Sequence, residues 1–268
     1  MGVVNVTPDS FSDGGRYLAT DDAVAHGRAL LADGADILDI GGESTRPGAT
    51  RPLVADELAR VVPVIAELSS EGAVISVDTM RAEVAEAALR AGARIVNDVS
   101  GGLADPAILE VAAAYGAVFV AMHWRAHSTE MQSRDHLVYA DGVVPTVRSE
   151  LGRRVEAALA AGITESRVVV DPGLGFSKTA AGNWELLARI EEIESLGYPV
   201  LVGASRKAFL GRLLADPAGN PRPVGERENA HIAVNVFLAR RGVWCTRVHD
   251  VRATRDAFAA AERLGETR

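Results

Sequence analysis

A single-domain α/β protein folded as a TIM-type (β/α)8 barrel is what this sequence predicts, and three observations carry the prediction. Short Val/Ile/Leu-rich runs ending in a polar residue recur along the chain, each followed by a loop and then by apolar residues at helix spacing. The clearest is Val74-Ile75-Ser76-Val77-Asp78-Thr79, where a strand delivers Asp78 to its own exit and Met80-Arg81 opens an Ala-rich helical pattern. Secondly, no linker-like stretch divides the 268 residues, and parallel barrels commonly fill about 250. Thirdly, polar residues stand at almost every strand exit, where a closed barrel gathers its reactive groups. A doubly wound open sheet is the rival, and regular repetition favours closure, although pairing of the last strand with the first is not written in any local pattern.

The first strand covers 2–6 and feeds Thr7-Pro8-Asp9-Ser10-Phe11-Ser12-Asp13-Gly14-Gly15, a loop dense in turn formers. Thr20 or Asp21 can cap a helix over 23–33. Residues 37–40 form the second strand, Gly41-Gly42-Glu43-Ser44-Thr45-Arg46-Pro47-Gly48 a second long loop, and Leu58, Val61, Val62, Ile65 and Leu68 recur at helix spacing. Pro63 lies inside that pattern, so the helix kinks there or starts later than its periodicity. After Asp78 come a helix over 81–91, a strand through 95–98, the loop Val99-Ser100-Gly101-Gly102, and a helix opened by Pro106 that reaches Tyr115. The fifth strand, 118–122, exits at His123-Trp124. Residues 125–141 lack periodicity and read as a mobile excursion before a long helix marked by Val144, Val147, Leu151 and Val155. The sixth strand, 168–170, closes on Asp171-Pro172-Gly173-Leu174-Gly175-Phe176, and Leu186, Leu187, Ile190 and Ile193 give one helix its buried face. The seventh, 200–202, exits into Gly203-Ala204-Ser205-Arg206-Lys207, followed by helices over 209–214 and 227–240. The eighth, 243–248, exits at His249-Asp250 ahead of a last helix.

Net charge is 28 − 36 = −8, which argues against general nucleic-acid binding but allows a local anion site built by a few cations. The one cysteine, Cys245, excludes an internal disulfide and Cys-based zinc motifs, suits a reducing compartment, and reads as a small buried thiol. No apolar run reaches membrane-spanning length and no signal segment precedes the first strand, so a cytoplasmic location is expected. Met1 abuts that strand directly, which suggests that the parent protein starts upstream.

Asn5, Asp78, Asn97, Asp171, Lys207 and Arg247 fall at or just past strand ends. The ordinary reading of such residues is helix capping, and it suffices for Asp98 and Asp250. It fails for Lys207, whose side chain accepts no hydrogen bond, and six polar exits on different strands converge only if the fold closes.

Five motifs in this order, the loop from Asn5 to Gly15, Gly41 to Gly48, Asp171-Pro172-Gly173-Leu174-Gly175-Phe176, Ser205-Arg206-Lys207 and Arg247-Val248-His249-Asp250, closely resemble the dihydropteroate synthases, pterin-binding enzymes of the folate pathway that sulfonamides inhibit. The resemblance runs from Gly2 into the last helix. It implies that hydroxymethyl-dihydropterin diphosphate is joined to p-aminobenzoate with release of pyrophosphate. It makes Asp78, Asn97, Asp171 and Lys207 pterin ligands, with Val99 and Met122 in apolar contact and Phe176 on the approach of the second substrate. A pterin edge of ring N–H, amino and carbonyl groups is what paired carboxylate and amide groups can read. Arg247 can lie against the flat ring and face anionic oxygen, tasks to which lysine is poorly suited. By the same resemblance Asn5 holds Mg²⁺ through its amide oxygen, and Arg247 with His249 forms the diphosphate pocket. Asp78, Lys207 and Arg247 are then the catalytic group. The path implied is dissociative: diphosphate leaves, a pterin methylene cation sits near Asp78, and the aromatic amine attacks.

Such a cation must be screened from water. Ser10, Phe11 and Asp13 in the first loop and Thr45, Arg46 and Pro47 in the second resemble the family's lids, with Gly14, Gly15, Gly41, Gly42 and Gly48 giving backbone freedom. They are expected to be poorly ordered without ligands and to close over p-aminobenzoate. The resemblance also implies a homodimer and small-molecule partners only. Other residues take the plainer reading: His26, His127, His136 and His231 lack metal-ligand spacing, Gly173-Leu174-Gly175 is too short for a dinucleotide fingerprint, Lys178 reads as a solvated loop charge, and Arg206 as structural. At Ala208 the family often has a small polar residue, so one p-aminobenzoate contact would fall to backbone. A corrinoid-dependent pterin methyltransferase shares the barrel but has no use for a diphosphate site. A non-catalytic pterin binder would have lost Lys207, Arg46 or the lid residues.

Overall fold

The computed structural model describes residues 1–7, 16–43, 51–127, 130 and 133–266. All the lid residues singled out above, Ser10, Phe11, Asp13, Thr45, Arg46 and Pro47, together with Gly14, Gly15 and Gly48, lie outside them. Among the described residues eight strands alternate with helices: β1 Gly2–Asn5, β2 Leu38–Gly41, β3 Ile75–Asp78, β4 Ile95–Asp98, β5 Val118–Met122, β6 Val168–Asp171, β7 Leu201–Val202 and β8 Cys245–Thr246. The helices between and after them are α1 Arg16–Ala32, α2 Val54–Ser70, α3 Ala82–Arg90, α4 Ala107–Ala114, α5 Val143–Ala160, α6 Ala180–Ala188, α7 Ile190–Glu194, α8 Ala208–Leu213, α9 Glu228–Arg241 and α10 Val251–Glu266.

Strands β1 to β6 pair in sequence order, all parallel, and β7 pairs with β8. Two seams close the ring. Val170 N–H donates to Pro199 O (2.9 Å), joining β6 to the entry of β7. At the other seam Val3 N–H donates to Val248 O (3.0 Å) and Val248 N–H to Met1 O (2.9 Å), so the end of the sheet returns to its start. The structure is therefore the closed barrel and not its open-sheet rival. β7 and β8 are shorter than their apolar runs, yet Arg247 N–H still donates to Val202 O (2.9 Å), so the ladder reaches the mouth.

Two apolar clusters make up the core below the mouth. The larger lies between barrel and helices and contains Leu38, Ile40, Ile65, Leu68, Phe119, Leu151, Leu186 and Ile190, all fully buried, each removing enough apolar surface to favour folding by roughly 1.5–3 kcal/mol. Met1, Ile95, Val120, Val169 and Leu201 plug the barrel interior, with Ile37, Val74, Val118 and Cys245 packed on them. Because strand side chains alternate in facing, residues two further on point the same way, from Ile37 to Asp39, Ile95 to Asn97, Val120 to Met122, Val169 to Asp171 and Cys245 to Arg247. The same strands that plug the barrel thus carry the polar groups of its mouth one step higher.

Several local expectations change. Thr20 and Asp21 lie inside α1, which begins at Arg16 rather than at 23. α2 starts at Val54, before the periodic residues, and runs through Pro63, with its buried stripe Glu57, Val61, Val64, Ile65 and Leu68 supplying the packing that outweighs one missing backbone donor. The single helix expected around Leu186–Ile193 is two, because Arg189 leaves helical geometry (φ −118°, ψ 36°) while its guanidinium holds Glu185 and Glu192. The described part of the 125–141 stretch is tied rather than free: Arg125 donates to Val138 O (2.8 Å), a 3₁₀ turn spans Arg134–Leu137, and the Tyr139 hydroxyl donates to Ser177 O (2.9 Å).

Candidate active site

Five of the six strand-exit residues meet at the mouth and Asn5 stands at the same end. The centre is Arg247. Its Nε donates to Asp39 Oδ2 (2.5 Å) and its Nη2 to Asp78 Oδ2 (2.8 Å), so one planar fork spans carboxylates from β2 and β3. Asn97 Nδ2 donates to the same Asp39 oxygen (3.0 Å), which fixes which way round its amide sits. In register Asn5 lies beside Gly41 and Gly41 beside Asp78, and a Cβ on Gly41 would sit 3.3 Å from that of Asp78. The absent side chain therefore leaves room between the β1 and β3 exits.

Asp39 is the residue that the sequence reading missed. It is wholly buried, and its Oδ1 has no partner among the described residues. The signal was present, a lone carboxylate inside Ile37-Leu38-Asp39-Ile40, but attention to strand exits passes over a penultimate position.

Across the mouth, the Lys207 ammonium donates to Leu174 O and lies 4.6 Å from the centre of the Phe176 ring. Lys207 occupies the N-cap position of α8 after all, but its side chain makes no capping bond and turns into the pocket instead. Asp171 accepts from Gly173 N–H (2.7 Å), shaping the loop that follows it. Met80, Val99 and Met122 form a small apolar cluster of their own, with Ala104, Trp124 and Phe176 against it.

Burial governs the charges. It pushes the Asp78 carboxyl up to about 7, Arg247 opposing and the Asp39 charge reinforcing the rise. Burial also raises Asp171, against the pull of Lys207. Lys207 is lowered to about 8, chiefly by burial, with Asp171 opposing and Arg247 adding to the fall. Asp39, Asp78 and Asp171 thus face Lys207 and Arg247, and Lys178 also acts on Asp171.

Among the described residues no group of three or more His, Cys, Asp or Glu is placed to hold a metal. The partly exposed Asn5 offers an amide oxygen with no hydrogen-bond partner among them. A hard cation there would have one protein oxygen and need several from ligand and water, which fits an Mg²⁺ that arrives with a diphosphate. His249 Nδ1 is 2.9 Å from Ser205 Oγ, which orients the ring.

Other residues move from their expected places. Lys178 is no solvated charge: it is 4% exposed, and its ammonium reaches Gly173 O, Phe176 O and His123 Nδ1. Asp98 caps no helix but accepts from Ser100 N–H (2.8 Å), Ser100 Oγ (2.7 Å) and Gly102 N–H (2.7 Å), holding the turn after β4. Asp250 does cap α10, through Ala253 N–H (2.9 Å). His231 is fully buried against Glu228 (2.7 Å), and Arg206 is exposed in left-handed geometry (φ 61°) with its carbonyl held by Arg227, a structural role.

Residues 1–249 match the family model described as pterin binding enzyme. A dihydropteroate synthase of Mycobacterium leprae is 54% identical over 96% of this chain and 90% of its own, and one of Bacillus subtilis is 42% identical over 94% and 83%. Among solved structures, a Xanthomonas albilineans dihydropteroate synthase with 4-aminobenzoic acid superposes at a TM-score of 0.89 with 44% identity, covering 99% of this chain and 92% of that one. The Yersinia pestis enzyme in a sulfonamide complex gives 0.89 at 38% identity, covering 99% and 94%. These relatives carry the name of the synthase and of neither rival activity.

Proposed function

The chain belongs to the pterin-binding enzyme family, standing among its dihydropteroate synthases, and from that premise we propose how its barrel mouth condenses 6-hydroxymethyl-7,8-dihydropterin diphosphate with p-aminobenzoate to 7,8-dihydropteroate and pyrophosphate. The observation that carries the reading is the Arg247 fork on Asp39 and Asp78, facing Asp171 and Lys207 across one cup. In that cup the pterin edge pairs with Asp171 and Asn97, Lys207 donates to the ring, and Met122 and Val99 contact its face.

The C–O bond to diphosphate breaks first, its electron pair leaving with the departing oxygen. Positive charge then spreads from the methylene into the reduced pterin. Ionised Asp78 lies beside that charge and favours it. Arg247 and His249 bind the released anion. The amine nitrogen of p-aminobenzoate then forms the new C–N bond and loses its proton to solvent. Asn5 supplies the protein oxygen for Mg²⁺, whose charge, when bound, offsets that of the diphosphate. The lid residues Ser10, Phe11, Asp13, Thr45, Arg46 and Pro47 are assigned to water exclusion and p-aminobenzoate binding on the family resemblance, and protection of both loops from protease by pyrophosphate plus a pterin tests it.

The solved structures include relatives described with 4-aminobenzoic acid, with 7,8-dihydropteroate and with a sulfonamide drug, which supports the same small molecules as ligands here, and a homodimer is proposed on the resemblance alone. No helix among the described residues is long and apolar enough to cross a membrane. A coupled assay of pyrophosphate release decides the activity: turnover should require pterin diphosphate, p-aminobenzoate and Mg²⁺ together. Release that ignores p-aminobenzoate would refute the condensation.

A further inference from the structure

Behind the wall that carries Phe176 runs a chain of four side chains, Lys178 and His123 buried, Glu150 and Arg125 partly so. Lys178 Nζ donates to Gly173 O (2.9 Å), Phe176 O (2.9 Å) and His123 Nδ1 (2.8 Å), so all three of its protons are committed inside the protein. With Nδ1 accepting, the imidazole carries its proton on Nε2 and donates it to Glu150 Oε2 (2.7 Å). Arg125 grips that carboxylate with Nε (3.1 Å) and Nη2 (2.8 Å), and its guanidinium lies 4.0 Å from the centre of the Tyr139 ring. The Tyr139 hydroxyl donates to Ser177 O (2.9 Å), returning the network to the loop it started from.

That loop needs outside support. Gly173, Gly175 and Ser177 all have positive φ (64°, 80° and 48°), and although Phe176 N–H donates to Gly173 O (3.1 Å), among the described residues only side-chain donors reach the carbonyls of 174, 176 and 177. Two ammonium groups share the task. Lys207 holds Leu174 O from the pocket side, and Lys178 holds Gly173 O and Phe176 O from behind. Under the function proposed above, on which this inference rests, Lys207 turns to the pterin when substrate binds, while Lys178 has no such conflict.

We infer that Lys178, braced through His123, Glu150 and Arg125, is a positioning residue for the second substrate: it holds the 173–177 loop so that Phe176 keeps the p-aminobenzoate approach formed while Lys207 serves the pterin. Burial pulls His123 down to about 3, which keeps the ring neutral and able to accept from Lys178, while burial and then Lys207 lower the Lys178 ammonium, Asp171 opposing. The role predicts a split between substrates, which loosened packing alone does not give.

Steady-state kinetics and calorimetry of pterin diphosphate binding with Mg²⁺ read it. In Lys178→Met the KM for p-aminobenzoate should rise at least about tenfold, while the Kd for pterin diphosphate stays within about threefold. Glu150→Gln, which leaves Lys178 in place but weakens its brace, should move the same KM by less. A folded Lys178→Met with unchanged KM, or with both constants raised together, overturns the inference. If Lys178→Met does not fold by circular dichroism, Glu150→Gln decides alone: a raised KM with unchanged pterin affinity supports the role, and any other pattern sinks it. Parent enzyme without p-aminobenzoate-dependent pyrophosphate release would instead sink the function itself.

Discussion

Asp39→Asn tests whether the carboxylate beneath the mouth acts on the chemistry. The change keeps shape and removes one charge. Arg247 then loses one of its two charge-assisted hydrogen bonds, that to Asp39 Oδ2 (2.5 Å), but keeps the one to Asp78 (2.8 Å). Such a bond contributes about 1.5–3 kcal/mol. Part of the loss is offset because Asp39 Oδ1 is buried without a partner and ceases to be charged. The expected fall in kcat/KM is therefore roughly 10-fold, near the lower end of the roughly 10- to 160-fold which that energy allows. Asp78 supplies a second signature. Its carboxyl is pushed up to about 7 by burial, Arg247 lowers it, and the Asp39 charge raises it further. Because Asp78 must be ionised to face the methylene cation, kcat/KM of the parent should rise with pH through about 7. Removing the Asp39 charge withdraws a like charge and leaves Arg247 more fully to Asp78, so the acid limb should move to lower pH. Pyrophosphate release, followed from about pH 5.5 to about 9.5 at limiting pterin diphosphate, measures both. A variant within about threefold of the parent, with its acid limb unmoved, would refute the assignment of Asp39 to the site.

Three other outcomes are expected. Lys207→Met should lose the alkaline limb that its ammonium, lowered to about 8, imposes, and should lower kcat/KM about 100-fold; an unchanged limb removes Lys207 from the reaction. Gly173→Ala places a Cβ 2.3 Å from His123 O at a φ of +64°, so thermal unfolding should show a loss of at least about 1–3 kcal/mol, and a neutral result contradicts the loop geometry. Chelation of Mg²⁺ should abolish turnover and weaken pterin diphosphate while leaving a pterin without phosphates bound as before; calorimetry showing both weakened equally would place the cation away from the diphosphate.

The eight strands were legible because each buries both of its faces, so short aliphatic runs end sharply at the first polar residue. Asp78, Asn97, Asp171, Lys207 and Arg247 were legible for the same reason, and their motifs carried the family resemblance. Local pattern could not say which polar group looks inward. Lys178 and Asp98 read as solvated or capping, yet both are buried, each holding carbonyls or amide groups of a turn whose need for partners exists only once the chain is folded.

The strand-then-loop-then-helix repeat by itself gave eight β/α units and the end at which their polar residues sit, and the motif order carried the resemblance that implied the kind of ligand. Tertiary structure alone decided that Val248 closes onto Met1 and Val3, that Arg247 spans Asp39 and Asp78, 208 and 169 residues away, and that Lys178 reaches His123. Periodicity fixes the facing of a side chain within its own strand. Which charges end up within hydrogen-bond distance depends on how the ring closes, and no stretch of sequence contains that information by itself.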